Sequence, residues 1–283
     1  MSDGPVTSLI QAPGPSASPA APQPAPVPVL EMRGVSVRWG SNTVLDGVDL
    51  RLEPGERLAV VGPSGAGKST ILRVLAGLML PTTGELRIHG VPQTYLRLDQ
   101  RHPPDVRLVF QNPALLASLS VQENVGFLLY RHSRIPEREI RERVSRALEA
   151  VGLYGVEDLL PGELSGGMQK RVSFARALIE DPSQPAGLQP LLLFDEPTAG
   201  LDPVACTRIE DLMVRATEVA GGASVVVSHV MSTILRSAER VVLLYDGLLR
   251  WRGSVEEFQV SDNAYVEQFR TGSLEGPMQP AEL

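Results

Sequence analysis

Eight consecutive residues, Gly62-Pro63-Ser64-Gly65-Ala66-Gly67-Lys68-Ser69, have types and spacing suited to holding a phosphate. They fit G-x-x-x-x-G-K-S. Gly62, Gly65 and Gly67 let the backbone curl, so that several N–H groups, that of Ser64 among them, converge on one anion. Lys68 would reach the β- and γ-phosphates of a nucleotide, Ser69 would ligate Mg2+, and Thr70 continues the same helix start. A second constellation is the acid pair Asp195-Glu196, which ends the apolar run Leu191–Phe194. Asp195 suits a Mg2+ ion held through water, and Glu196 is placed to accept a proton from, or orient, an attacking water. A third is Ser165-Gly166-Gly167, just before an Arg-containing helix. Ser165 is a good N-cap, which by itself is only structural. A Ser-Gly-Gly helix start is also an anion site, and this one has no phosphate of its own to hold. The economical occupant is a phosphate bound to another copy of the chain.

These residues need particular elements to position them. Leu58–Val61 is a short apolar strand of the buried type, and the Gly-rich loop joins it to a helix over 68–78. Further apolar strands are expected at Val106–Phe110, Leu191–Phe194, Val225–Val227 and Val241–Tyr245, alternating with helical stretches. Such alternation gives a mainly parallel core sheet with helices on its faces, an α/β fold. Val35, Val37 and Trp39 alternate with polar residues. With a turn at Gly40-Ser41-Asn42 and a second alternating run, Val44–Leu52, they predict an antiparallel β subdomain. Between about 115 and 165 the period changes. Ile140, Val144, Leu148 and Val151 recur at helical spacing, and Glu139/Arg143 and Glu142/Arg146 stand four apart, so a helical insert is expected. Asp246-Gly247 between apolar runs predicts a hairpin.

The chain divides into a Pro/Ala-rich tail over 1–28, expected to be disordered, one domain over 29–255, and a short extension over 256–283 whose end, 271–283, is expected to be loose. Apolar residues make up 43% of the 283 residues and charged residues 21%, ordinary for a globular protein. Lys and Arg total 26 against 33 Asp and Glu, a net charge of −7, which gives no support to a nucleic-acid binder. The single cysteine, Cys206, excludes an internal disulfide and is expected to be a small buried side chain. No apolar run approaches the ~20 residues of a spanning helix, and the N-terminus lacks the features of a secretory signal. Action at a membrane would therefore depend on other subunits. There is no internal repeat, hence one nucleotide half-site per chain. His89, His102 and His132 fall outside every motif. The basic stretch Lys170, Arg171, Arg176 is expected to be a solvated face that also supports phosphate binding.

Over about residues 29–255 the sequence resembles the ATP-binding subunits of ABC transporters, through several motifs in the right order. The resemblance implies a P-loop NTPase fold of the ABC ATPase type, ATP and Mg2+ as cofactors, and a homodimer that sandwiches two nucleotides. It implies further roles, residue by residue. Trp39, which by itself reads as a core or strand-edge aromatic, stands where the family stacks an aromatic on adenine. Gln111 matches the glutamine that touches Mg2+ and water and senses the transport subunit. Ser165, Gly166 and Gly167 match the signature that contacts the partner's γ-phosphate. Asp202 matches the key acid of the loop crossing the dimer interface, and His229 the switch histidine on the γ-phosphate. Glu196, His229 and Gln111 are thus the implied catalytic set, and Ser69, Gln111 and Asp195 the metal set.

Met168, where many importers have Gln, a long Pro-containing loop over 181–190, Tyr245-Asp246-Gly247 and the run Phe194–Ala205 resemble the ATPases of MCE-type lipid transport systems, the Mla and chloroplast TGD group. That implies integral membrane permease partners, an MCE-domain lipid-binding protein and a peripheral position on the cytoplasmic face of the inner membrane. A polar-solute importer of amino acids or phosphate is the alternative within transporters. A non-transport relative acting on nucleic acid or ribosomes is the alternative outside them, disfavoured by the acidic charge and the single nucleotide half-site.

Overall fold

The computed structural model of this protein describes residues 27–132, 135–180 and 189–279. The expected tail, apart from its last two residues, and most of the Pro-containing loop over 181–190 lie outside them. Among the described residues, ten strands fall into two sheets. β1 (Leu30–Trp39) and β2 (Asn42–Leu52) form the expected antiparallel pair. β4 (Thr83–Ile88) and β5 (Val91–Pro92), which the sequence reading does not place, extend it to a four-stranded sheet ordered β2-β1-β4-β5. The core sheet has six strands. In it β3 (Arg57–Val61), β6 (Val106–Val109), β7 (Leu191–Asp195), β8 (Ala223–Val227) and β9 (Arg240–Tyr245) run parallel, and β10 (Leu248–Ser254) pairs antiparallel on β9. Its order is β10-β9-β3-β8-β7-β6, with the phosphate-loop strand inside the sheet.

Alternation along these strands divides the core in two. On β3, Leu58 and Val60 face the β subdomain and helix α1 (Lys68–Leu75), while Ala59 and Val61 face the other helices. On β7, Leu191 and Leu193 take the first face, Leu192 and Phe194 the second. Every one of these side chains is buried, so a register slip of one residue would exchange the two cores. The second core holds the helical insert, α2 (Val121–His132) and α3 (Glu137–Ala150), and the helix that follows it, α4 (Gly166–Leu178). Phe174 of α4 stacks on Phe194 of β7 with centroids 5.5 Å apart, which fixes α4 against the strand carrying the acid pair. The remaining helices are α5 (Pro203–Ala220), α6 (Met231–Ser237), α7 (Val255–Val260) and α8 (Ala264–Thr271).

Four expectations are corrected. α1 stops at Leu75, short of Leu78, because Gly77 N–H turns back to Val74 O and Leu78 N–H to Arg73 O. β6 ends at Val109 and leaves Phe110 partly exposed. The extension is not loose up to residue 279. Gln268 Nε2 donates to Met278 O at 2.8 Å, its Oε1 accepts from Met278 N at 2.7 Å, and Met278 is buried. Gln279 N–H also donates to the Tyr245 hydroxyl. Finally, Cys206 is half-buried rather than fully so.

Candidate nucleotide site

The carboxyl edge of the core sheet gathers the phosphate loop after β3, Asp195 and Glu196 at the end of β7, His229 after β8 and Gln111 after β6. β8 stands between β3 and β7, so the acid pair faces the loop across one strand rather than from the adjacent one. Ligands of open α/β sheets bind at this edge.

Two glycines shape the loop. A Cβ on Gly62 would lie 2.1 Å from Leu244 O, and one on Gly67 would lie 2.8 Å from Val44 O. Both have positive φ, 150° and 102°. Gly67 caps α1, whose first turn carries no acidic residue, so its partial positive charge is left for an anion. Lys68 Nζ donates to Gly62 O at 2.8 Å and Pro63 O at 2.7 Å. Burial pushes its pKa down against the pull of Glu196 and Asp195. Ser64, Gly65 and Ser69 are exposed at the loop surface, while Thr70 is buried beneath it. Trp39, half-exposed, ends β1 opposite Asn42 at the tip of the hairpin, whose Val44 and Leu45 lie against Gly67. The exposure removes the reading as a core aromatic and leaves the strand-edge one.

On the acid side, burial raises the pKa of Asp195 and the neighbouring Glu196 raises it further, while Arg73 and Lys68 oppose both. Glu196 has φ 44°, a left-handed conformation uncommon outside glycine, and its N–H is held by Val227 O at 2.9 Å. Its Oε1 accepts from His229 Nδ1 at 2.9 Å, and its buried Oε2 has no hydrogen-bond partner among the described residues. His229 is 62% exposed. Gln111 is exposed, beside this pair by the parallel register of Val109 with Phe194. The residues fit a nucleotide with Mg2+. No group of three or more His, Cys, Asp or Glu forms a metal cage among the described residues. Magnesium instead takes one or two carboxylates plus phosphate oxygens, and crowded acids with one unpartnered oxygen suit a cation of that kind.

Ser165, Gly166, Gly167 and Asp202 form a separate group. Ser165 Oγ caps α4 by accepting from Met168 N, and a Cβ on Gly166 or Gly167 would meet nothing within 4 Å. Asp202 caps α5, accepting from Val204 N and Ala205 N. Gly167 and Asp202 line one open depression of about 210 Å³ with Arg171, Leu201, Val204 and Arg208, none of them from the phosphate loop.

The basic stretch is not a solvated face. Lys170 Nζ donates to Pro197 O at 3.1 Å and Ala199 O at 2.7 Å, just beyond the acid pair. Arg176, which burial pushes down in pKa, donates to Pro113 O and Ala114 O beyond Gln111, and Arg171 donates to Gly152 O. Lys170 and Arg176 thus brace the segments that follow Glu196 and Gln111, while Arg171 holds the turn after α3. The sequence reading missed Lys170 in that role because its partners are carbonyls 27 and 29 residues away, which spacing cannot reveal.

The family described as ABC transporter matches residues 45–199. The Arabidopsis thaliana chloroplastic protein TRIGALACTOSYLDIACYLGLYCEROL 3 is 46% identical over 261 residues, covering 88% of this chain and 75% of that protein. The intermembrane phospholipid transport system ATP-binding protein MlaF of Haemophilus influenzae is 35% identical over 254 residues, covering 88% and 93%. Among solved structures, a dimeric ATP-binding cassette in a post-hydrolysis state with ADP and Pi matches with a TM-score of 0.68 at 28% identity, covering 80% of this chain and 98% of that one.

Proposed function

The chain belongs to the ABC transporter family as an ATP-hydrolysing subunit, and we propose that two copies close head-to-tail around two nucleotides to drive a lipid-moving membrane assembly. The observation that carries the dimer is the separation of the two anion sites. The phosphate loop is set at the sheet edge, whereas Gly167 and Asp202 open onto a different depression that no residue of their own chain's phosphate loop lines. The dimeric relative supports the same arrangement.

Within each half-site the backbone of residues 62–67 and Lys68 hold the phosphates, with Ser64, Gly65 and Thr70 completing the cradle. Trp39 stacks on the base. Ser69, Asp195 and Gln111 supply the oxygens that would hold Mg2+, which when bound neutralises charge on the transferring phosphate. Glu196 accepts the water proton, and His229, tied to Glu196 Oε1, fixes that carboxylate's orientation. Ser165, Gly166 and Gly167 close on the partner's nucleotide, with Asp202 at the crossing.

The lipid substrate rests on the relatives whose names include phospholipid transport, together with the motif details at 168, 194–205 and 245–247. Among the described residues no helix is long and apolar enough to cross a membrane, so permease subunits supply the path, with an MCE-domain protein as lipid carrier and this chain on the cytoplasmic face. The test is hydrolysis by the full chain assembled with its membrane subunits. Glu196→Gln retains ATP and loses turnover by about 10²-fold or more. Wild-type turnover in that variant would remove Glu196 as the base. Co-purification with a permease for polar solutes, and no bound lipid, would overturn the substrate class.

A further inference from the structure

We infer that Glu210 is a positioning residue for hydrolysis, fixing from within α5 the start of α6 behind His229 and the segment behind Glu196. The inference rests on the ATPase reading of that site.

Glu210 is fully buried on α5, where Ile209, Leu212 and Met213 of the same helix are also buried. Its three partners all lie on α6. Ser232 Oγ and Thr233 Oγ1 each donate to Glu210 Oε1 at 2.9 Å, and Arg236 Nε stands 3.4 Å from Oε2. Thr233 Oγ1 also lies 2.8 Å from Thr198 Oγ1. A hydroxyl has one proton. Thr233 gives its proton to Glu210, so Thr198 must be the donor to Thr233. The directions form one chain, from Thr198 to Thr233 to Glu210 Oε1, on which Ser232 also converges, while Arg236 makes only an ion pair with Oε2, which accepts no hydrogen bond among the described residues.

The sequence positions give this chain its meaning. Thr198 is two residues beyond Glu196, α6 begins two residues beyond His229, and α5 begins one residue beyond Asp202. One buried carboxylate therefore registers the three segments that carry the water-activating acid, the switch histidine and the interface acid. His229 needs such support, since it is mostly exposed and its recorded hydrogen bond is the one to Glu196. Stability alone does not call for a carboxylate here. Replacing a buried ionic group with a well-packed apolar one is often neutral or stabilising, while retention of the charge fits a role in fixing one geometry.

The test compares four variants with wild type as the full chain in its membrane assembly, with turnover normalised to titrated ATP sites. Glu210→Leu fills the space without the charge, and Glu210→Gln keeps one oxygen acceptor but presents an amide to Arg236. Thr233→Val cuts the chain, and Thr233→Ser keeps it. The expected result is a kcat at least tenfold lower in Glu210→Leu and Thr233→Val, with KM for ATP within twofold of wild type. Glu210→Gln falls between, and Thr233→Ser stays near wild type. Wild-type kcat in Thr233→Val or in folded Glu210→Leu overturns the inference, as does equal loss in Thr233→Ser and Thr233→Val. If Glu210→Leu does not fold, the Thr233 pair decides alone. Glu196→Gln runs alongside. Full turnover there marks failure of the site reading itself, whereas its loss with an unaffected Thr233→Val marks failure of this inference alone.

Discussion

Asp195 and Lys68 show how a site for a charged ligand strains the free fold. Burial is the main cause of each shift, upward for the acid and downward for the amine. An acid whose pKa rises on folding favours the folded state only while protonated. That contribution is whole below its ordinary value of 3.8 and is lost as pH rises through the raised one. At neutral pH Asp195 is therefore a cost, and Asp195→Asn is expected to raise the melting temperature of the nucleotide-free protein by a few degrees while abolishing Mg2+-dependent hydrolysis. The gain should shrink as pH falls into the carboxylate range. Calorimetry from pH 4 to 8 checks it, and a gain that grows toward low pH would refute the sign. These residues were legible in sequence because each chemical role sits in a contiguous motif. Glu210 was not, since it lies in a helix between motifs, and only packing of α5 on α6 reveals its partners.

At the scale of elements, the parallel strands and the helical insert were legible from apolar runs and period changes, because buried strands and amphipathic helices leave those marks. The short strands β4 and β5 were not, as Thr83–Ile88 and Val91–Pro92 carry weak alternation and depend on pairing, β4 with β1 and β5 with β4. The fold of residues 272–279 onto the body was also hidden, because its ties, Gln268 to Met278 and Gln279 to Tyr245, leave no periodicity in the sequence. Gln268→Ala removes both ends of its grip on Met278 and should cost about 1–3 kcal/mol, read by denaturant unfolding. Loop bracing gives a sharper case. Lys170→Met deprives Pro197 O and Ala199 O of their donor, in a segment where Pro197 and Thr198 are buried. The expected cost is about 1–2 kcal/mol, with slower hydrolysis and unchanged nucleotide affinity. If turnover survives Lys170→Met, the clamp on the loop is structural only.

For the whole molecule, the proposal that a second copy completes each site turns on residues that face outward. α4 begins at exposed Ser165 and Gly166, and α5 begins at exposed Asp202, yet both helices are anchored by the core that also holds Phe194. In the proposed dimer, closure between copies would bring the start of α4, held by that core, onto the partner's phosphate loop. Complementation tests this arrangement. Lys68→Ala destroys the phosphate loop and Gly167→Asp the signature, so neither homodimer can form an intact composite site. A mixed dimer pairs the intact loop of one copy with the intact signature of the other and restores one site of two. Equimolar mixing is expected to recover stable nucleotide trapping at one ATP per mixed dimer, measured in a Glu196→Gln background with separately tagged copies. If instead Ser165 and Gly167 served their own chain's nucleotide, both lesions would leave every site broken in trans, and mixing would recover nothing. Unchanged trapping by the Gly167→Asp protein alone would likewise show that the second anion site takes no part in holding the nucleotide.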